Sequence, residues 1–235
     1  MRVLALRAGT PLSEDDLVSF VAGSASDLAP PRLLRPARPL IVETIASTEA
    51  IRHRLWPGSA HRRVLHRLQA TVPALRWEDI ERPKELEITD GIELRLTNQF
   101  HSLQTERLAA RAAGTLHAMT DLRAGEQLVL QVILTGARNP RAPIRQTSTG
   151  RAPRGWWSSR RVHQRREDYQ AEVKKLDHPL VLAIVRIGVK ARDTQRRRQL
   201  LTSVHASLRA ANAPEVMLAR RSLARKAVAN RMRDR

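Results

Sequence analysis

The sequence predicts an α+β fold: a duplicated strand-helix-strand sheet of the ferredoxin-like kind, with an N-terminal strand-helix-strand extension. Three observations predict it. Segments that alternate apolar and polar residues, as half-buried strands do, are separated by segments with apolar residues at helical spacing. The order strand, helix, strand occurs twice within residues 88–220, and a shift of 88 positions superposes the two copies without a gap. The apolar share is 42% with only 3% aromatic residues, so Leu, Val, Ile and Ala must fill a core.

Residues 1–36 read as an N-terminal segment ending in a linker. A helix is expected from about Ser13 to Val21, with Ser13 as its cap, because a Ser hydroxyl accepts a free N–H of the first turn. Residues 23–39 (GSASDLAPPRLLRPARP) concentrate Gly, Ser and Pro, which withdraw backbone donors and restrict their predecessors. A strand-helix-strand unit follows over residues 37–87. In it LIVETIAST is strand-like by its β-branched content, Ser59 to Val72 places Val64, Leu65 and Leu68 on one helical stripe, and ALRWED returns as a strand.

The clearest organisation starts at Ile92. IELRL alternates as a half-buried strand, and the following helix sets Leu108, Ala112, Leu116 and Met119 on one stripe. Gly125 then breaks the pattern before QLVLQVILTG, a buried strand. The second copy is PLVLAIVRIGV, a helix carrying Leu200, Leu201, Val204 and Leu208, and PEVMLA. Under the 88-residue shift Ile92, Leu94 and Leu96 fall on Leu180, Leu182 and Ile184, and Leu116 to Ala118 fall on Val204 to Ala206. Two such units in succession are the ferredoxin-like order, a four-stranded antiparallel sheet with both helices on one face.

Between the copies lies a basic insertion, residues 135–177. From Thr135 to Arg166 it has no acidic residue, yet it holds Arg138, Arg141, Arg145, Arg151, Arg154, Arg160, Arg161, Arg165 and Arg166 together with Trp156 and Trp157. Guanidinium groups pair bidentately with phosphate and indole rings stack on bases, so these residues are the candidate nucleic-acid contact. The competing account is a solvated surface loop with both tryptophans against the sheet. A short helix is expected through Asp168 to Lys175, and residues 221–235 form a basic tail.

A formal charge of +19 draws the chain toward DNA or another polyanion, although an Ala- and Arg-rich, Lys-poor composition is also what a GC-rich genome writes. Having no cysteine, the chain has no disulfide, no Cys-based zinc site and no thiol nucleophile, which suits a reducing cytoplasm. No run reaches the roughly 18 apolar residues of a membrane helix, so no transmembrane segment is expected and any membrane association is peripheral, at the inner face. His117 and His205 occupy equivalent places, but neither has metal-ligand spacing to a second histidine, so no metal is expected. Glu78, Asp79, Glu81, Glu85 and Glu87 read as solvated edge or linker carboxylates. There is no GxxxxGK[ST] loop, Gly-x-Ser-x-Gly, HExxH or nicotinamide fingerprint, so neither a cofactor nor a catalytic residue is expected, and the chain is read as a non-enzyme. The strands Ile92–Leu96 and Leu180–Val189 carry no aromatic residue for an RNA-stacking platform.

GEQLVLQVILTGAR, the WW-containing basic linker, KKLDHPLVLAIVRIGVKARDTQRRRQLLTSVHASLRAANAP and the trailing LARRSLARKAVANRM carry a family resemblance. From about Leu40 onward the chain resembles the N-terminal region of conjugative DNA-transfer (type IV secretion) ATPases of the FtsK and HerA type. In that family the region precedes a motor domain, whereas this sequence stops at Arg235 before any nucleotide-binding loop and is read as a fragment or truncated frame. The resemblance implies that the whole protein moves DNA using ATP, with this region positioning the motor domain of a longer chain, contacting DNA or forming a homo-oligomer. It carries over no catalytic residue. The alternatives are a stand-alone basic DNA-binding protein and a structural module for oligomerisation or membrane docking.

Overall fold

The computed structural model describes residues 3–8, 13–25, 27–28, 39–58, 61–73, 75–80, 86–98, 102–104, 106–136 and 181–222. Its elements, in chain order, are β1 (Val3–Ala8), α1 (Glu14–Ala25), β2 (Leu40–Ala46), β3 (Ile51–Trp56), α2 (His61–Thr71), β4 (Leu75–Ile80), β5 (Asp90–Leu96), α3 (Leu108–Ala118), β6 (Gln127–Gly136), β7 (Val181–Lys190), α4 (Thr194–Leu208), a 3-10 turn (Arg209–Ala211) and β8 (Leu218–Ser222). The fold is α+β. All eight strands join one sheet in the order β4-β1-β3-β2-β6-β7-β5-β8, and every neighbouring pair is antiparallel.

Local chemistry sets the ends of these elements. Ser13 Oγ accepts the N–H of Asp16 at 3.1 Å and caps α1, as its position predicts. Asp193 does the same for α4, taking the Arg196 N–H at 2.7 Å. In the β2–β3 turn, Ser47 Oγ accepts from the N–H groups of Glu49 and Ala50. Gly125 sits at φ +79 just before β6, a conformation that a side chain would disfavour.

Rows of register partners cross the whole sheet, because each antiparallel pair sets one residue directly opposite another on the same face. One row runs Asp79, Leu4, Leu55, Val42, Val132, Val185, Leu94, Arg220. Its interior is apolar and lies under the helices. Leu4 and Leu55 pack with Phe20 of α1 and with Val64 and Leu68 of α2, while Leu94 packs with Met119 after α3 and with Leu200, Leu201 and Val204 of α4. All four helices therefore cover one face. On the other face Val3, Ile41, Trp56 and Ile133 form a separate buried cluster with no described helix in it.

The structure corrects several expectations. The N-terminal segment contributes β1, which lies inside the sheet between β4 and β3. The supposed strand-helix-strand unit of residues 37–87 contains a further strand, β3, so β2 and β4 are not neighbours. Helix α1 runs on through Gly23 to Ala25, into the expected linker. Thr135 and Gly136, which the sequence placed both at the end of the strand QLVLQVILTG and at the start of the insertion, belong to the strand and pair with Leu182 and Val181. The last strand begins at Leu218, while Val216 bridges only to Ala213.

The gapless shift of 88 does not match burial. It sets Leu94 on Leu182, which is 50% exposed, whereas the residues of β7 that enter the core are Ile187 and Val189. Eleven residues connect β5 to α3 and three connect β7 to α4, so equivalent strands cannot stay in step with their helices under one shift.

Candidate functional site

The arginines and tryptophans of the basic insertion, Arg138, Arg141, Arg145, Arg151, Arg154, Trp156, Trp157, Arg160, Arg161, Arg165 and Arg166, lie outside the described residues, as do the expected helix Asp168 to Lys175 and the basic tail beyond Ser222. What the structure adds is a charged row that sequence reasoning missed. Adjacent to the apolar row, and on the opposite face, register partners run Glu78, Ala5, Arg54, Glu43, Gln131, Arg186, Glu93, Arg221. Four of its central residues, Glu43, Gln131, Arg186 and Glu93, are at most 2% exposed.

Burying charge is costly unless partners replace water. Glu93 has two guanidiniums. Its Oε2 accepts from Arg186 Nε at 3.2 Å and Nη2 at 3.1 Å, and its Oε1 accepts from Arg95 Nε at 2.7 Å. Burial alone pushes this carboxyl up, but the hydrogen bonds and charges of Arg95 and Arg186 outweigh it and hold Glu93 below the ordinary carboxylate value. Glu43 is built differently. Gln131 Nε2 donates to Oε1 at 2.9 Å and Trp56 Nε1 to Oε2 at 3.4 Å, both neutral donors. Burial therefore dominates and raises the Glu43 carboxyl, against the opposing pull of Gln131, Trp56 and Arg54. Arg54 is in turn lowered by its own burial, and its Nη1 has no hydrogen-bond partner.

Two clefts open at one end of the sheet and share Gly125, Glu126 and Lys190. The smaller, about 280 Å³, is lined by Ser47, Thr48, Arg52, Arg54 and Glu87. The larger, about 560 Å³, is lined by Thr89, Arg123, Arg192, Asp193, Arg196 and Arg197. Two of their cations, Arg196 and Lys190, are paired with carboxylates. Arg196 bonds Glu126 at 3.1 Å and Asp121 at 3.2 Å, which raises Arg196 and, against burial, lowers Glu126. Lys190 pairs with Glu87 at 2.5 Å.

Carboxylates held low by arginine are fixed anions near neutral pH and are poorly suited to proton transfer. No group of three or more His, Cys, Asp or Glu that could hold a metal occurs among the described residues. His205 Nε2 lies 3.1 Å from the Leu218 carbonyl, and His117 is exposed. No helix among the described residues is long and apolar enough to cross a membrane. Exposed cations gather elsewhere: Arg62 and Arg63 on α2, Arg198 on α4 and Arg209 just beyond it all face solvent.

No protein-family model matches this chain, and no curated protein matches it. A chitooligosaccharide oxidase structure superposes over 92% of this chain with a TM-score of 0.37 and 8% identity. The chain spans 45% of that protein's length, and a likeness at this level carries no argument about fold or activity.

Proposed function

We propose that the chain is a non-catalytic accessory region of a DNA-transfer machine of the conjugative, type IV secretion kind, acting in the cytoplasm as a scaffold that contacts DNA through arginine. Each half of the sheet is read here as one ferredoxin-like unit. The observation that carries the proposal is where the charges go. Glu93, Glu126 and Asp27 are each met inside the chain by Arg186, Arg196 and Arg67, whereas Arg62, Arg63, Arg198 and Arg209 face solvent, and the nine arginines between Thr135 and Arg166 have no acidic residue among them in sequence. Surface guanidinium in excess seeks phosphate.

The test is fluorescence anisotropy of a labelled DNA duplex with the purified full chain and two variants. One changes Arg151, Arg154, Arg160 and Arg161 to Ser; the other changes Arg62, Arg63, Arg198 and Arg209 to Ser. At least one variant is expected to bind more weakly. Affinity unchanged in both, or no binding by the parent at low salt, overturns the reading. The purified chain is expected not to turn over nucleotide. Turnover that survives re-purification and vanishes on changing a residue of this chain contradicts the non-catalytic role.

A further inference from the structure

The two open edges of the sheet are opposite in charge. Among the described residues no strand pairs beyond β4 at one edge or β8 at the other. An edge strand presents unpaired N–H and C=O groups and is a template for another strand unless something blocks it. On β4 the exposed charges are Arg76, Glu78 and Asp79, with both acids toward its C-terminal end; on β8 they are Arg220 and Arg221.

Topology fixes how such edges can meet. The eight described strands are even in number and all antiparallel, so β4 and β8 run in opposite directions. Two copies placed side by side in the same orientation would therefore bring β8 of one antiparallel to β4 of the next. Their helices would stay on the same face. One register continues the rows across such a junction: the apolar row that begins at Asp79 ends at Arg220, and the charged row on the other face that begins at Glu78 ends at Arg221. In an antiparallel pair the numbers of opposed residues have a constant sum, and 79 + 220 equals 78 + 221. One register thus sets Asp79 opposite Arg220 on the helix face and Glu78 opposite Arg221 on the other, and it aligns Ile80 with Ala219. Oppositely charged residues directly across a ladder stabilise the pair, and like charges destabilise it.

From this we infer that the chain associates with a second copy of itself, head to tail, by adding the β8 edge of one molecule to the β4 edge of the next. A symmetric β8-to-β8 contact would oppose arginines, and a β4-to-β4 contact either sets Glu78 against itself or pairs Arg76 with Glu78 and leaves Asp79 against Leu75, so only the head-to-tail contact opposes both acids of β4 to arginines. Glu78 and Asp79 also have interactions within their own chain, which the new pairs share or replace. The net charge of +19 opposes any self-association. At about 0.15 M ionic strength that long-range repulsion is screened beyond roughly 8 Å, while pairs in direct contact keep most of their attraction. The inference does not rest on DNA binding.

Sedimentation velocity on nuclease-treated full chain, over a concentration series at near-physiological salt, reads it directly. The parent is expected to associate as concentration rises. The reversals Glu78→Arg with Asp79→Arg, and Arg220→Glu with Arg221→Glu, should each leave a monomer. An equal mixture of the two variants, and one chain carrying all four changes, should associate again, since each restores an acidic edge facing a basic one. A parent that stays monomeric throughout, association that persists in both reversals, or folded variants that stay monomeric when mixed would each overturn the inference. Circular dichroism checks folding, and the single reversals Glu78→Arg and Arg221→Glu carry the same test if a double reversal unfolds. Duplex affinity measured on the same samples separates loss of association from loss of DNA contact.

Discussion

In the half of the sheet built from β1 to β4 the buried acid of the charged row is Glu43, and in the half built from β5 to β8 it is Glu93. Both are as deep, at 0% and 2% exposure, and both have an arginine as register partner: Arg54 beside Glu43 and Arg186 beside Glu93. They nevertheless titrate in opposite directions, Glu43 raised and Glu93 lowered. The difference lies in reach. Arg186 places two nitrogens on its carboxylate and Arg95 brings its Nε and Nη2 to the other oxygen, whereas Glu43 is held by Gln131 and Trp56, and Arg54 leaves one nitrogen without a partner. A charged neighbour in register is thus not yet an ion pair. The hydrogen-bond geometry decides whether burial or attraction prevails.

The sharpest way to break this comparison is to remove the Glu93 clamp. Arg186→Met leaves the buried Glu93 carboxylate held by Arg95, so the loss should fall short of the roughly 3–5 kcal/mol of a buried charge left unpaired and still exceed about 1 kcal/mol. Urea denaturation should show that loss as a lower midpoint, and a loss below about 1 kcal/mol would mean that water or another group already shares the load.

A smaller effect is expected from pH. Glu93 and Glu126 are lowered in the folded chain, so their contribution is present above the ordinary Glu value of about 4.3 and is lost as pH falls through their folded values. Thermal melts of Glu93→Gln against pH should therefore lose less stability on acidification than the parent does, and an identical acid limb would contradict the assignment.

Glu43 should do the reverse. A raised carboxyl contributes most below the ordinary value and loses that contribution as pH rises through its folded value. Glu43→Gln should gain on the parent as pH rises from 4 toward 7, and a variant that instead falls behind over that range would show that Glu43 is paired after all. Smallest of all is the exposed Arg52–Glu49 pair, 3.8 Å apart with both side chains mostly in solvent. Glu49→Ala should change stability by well under about 1 kcal/mol, within the scatter of a denaturation series.

Much of the fold was legible because it is written as period. IELRL, QLVLQVILTG and the helix with Leu200, Leu201 and Val204 appear where their apolar spacing places them. Strand β3 escaped because IRHRLW interrupts its apolar positions, Ile51 and Leu55, with Arg52, His53 and Arg54, and a charged short run looks like a loop. Strand β1 escaped because Val3, Leu4, Ala5 and Leu6 do not alternate. The charged row had a signal that went unread. Gln131 and Arg186 each interrupt an apolar run with one polar residue, Glu93 sits between Ile92 and Leu94, and Glu43 directly follows the apolar Leu40, Ile41 and Val42; in a buried strand each asks for a partner. Which partner it finds is a matter of register between strands tens of residues apart, and no single segment encodes that.

The most direct measurement of the central claim, that surface arginine is there to meet a polyanion, is the salt dependence of duplex binding by the full chain. Each phosphate neutralised should contribute about −0.9 to the slope of log affinity against log salt. The account predicts a steep negative slope that becomes shallower when Arg151, Arg154, Arg160 and Arg161 are changed to Ser. A slope near zero, or one left unchanged both in that variant and in the variant lacking Arg62, Arg63, Arg198 and Arg209, would contradict it and leave the positive charge as a product of coding bias.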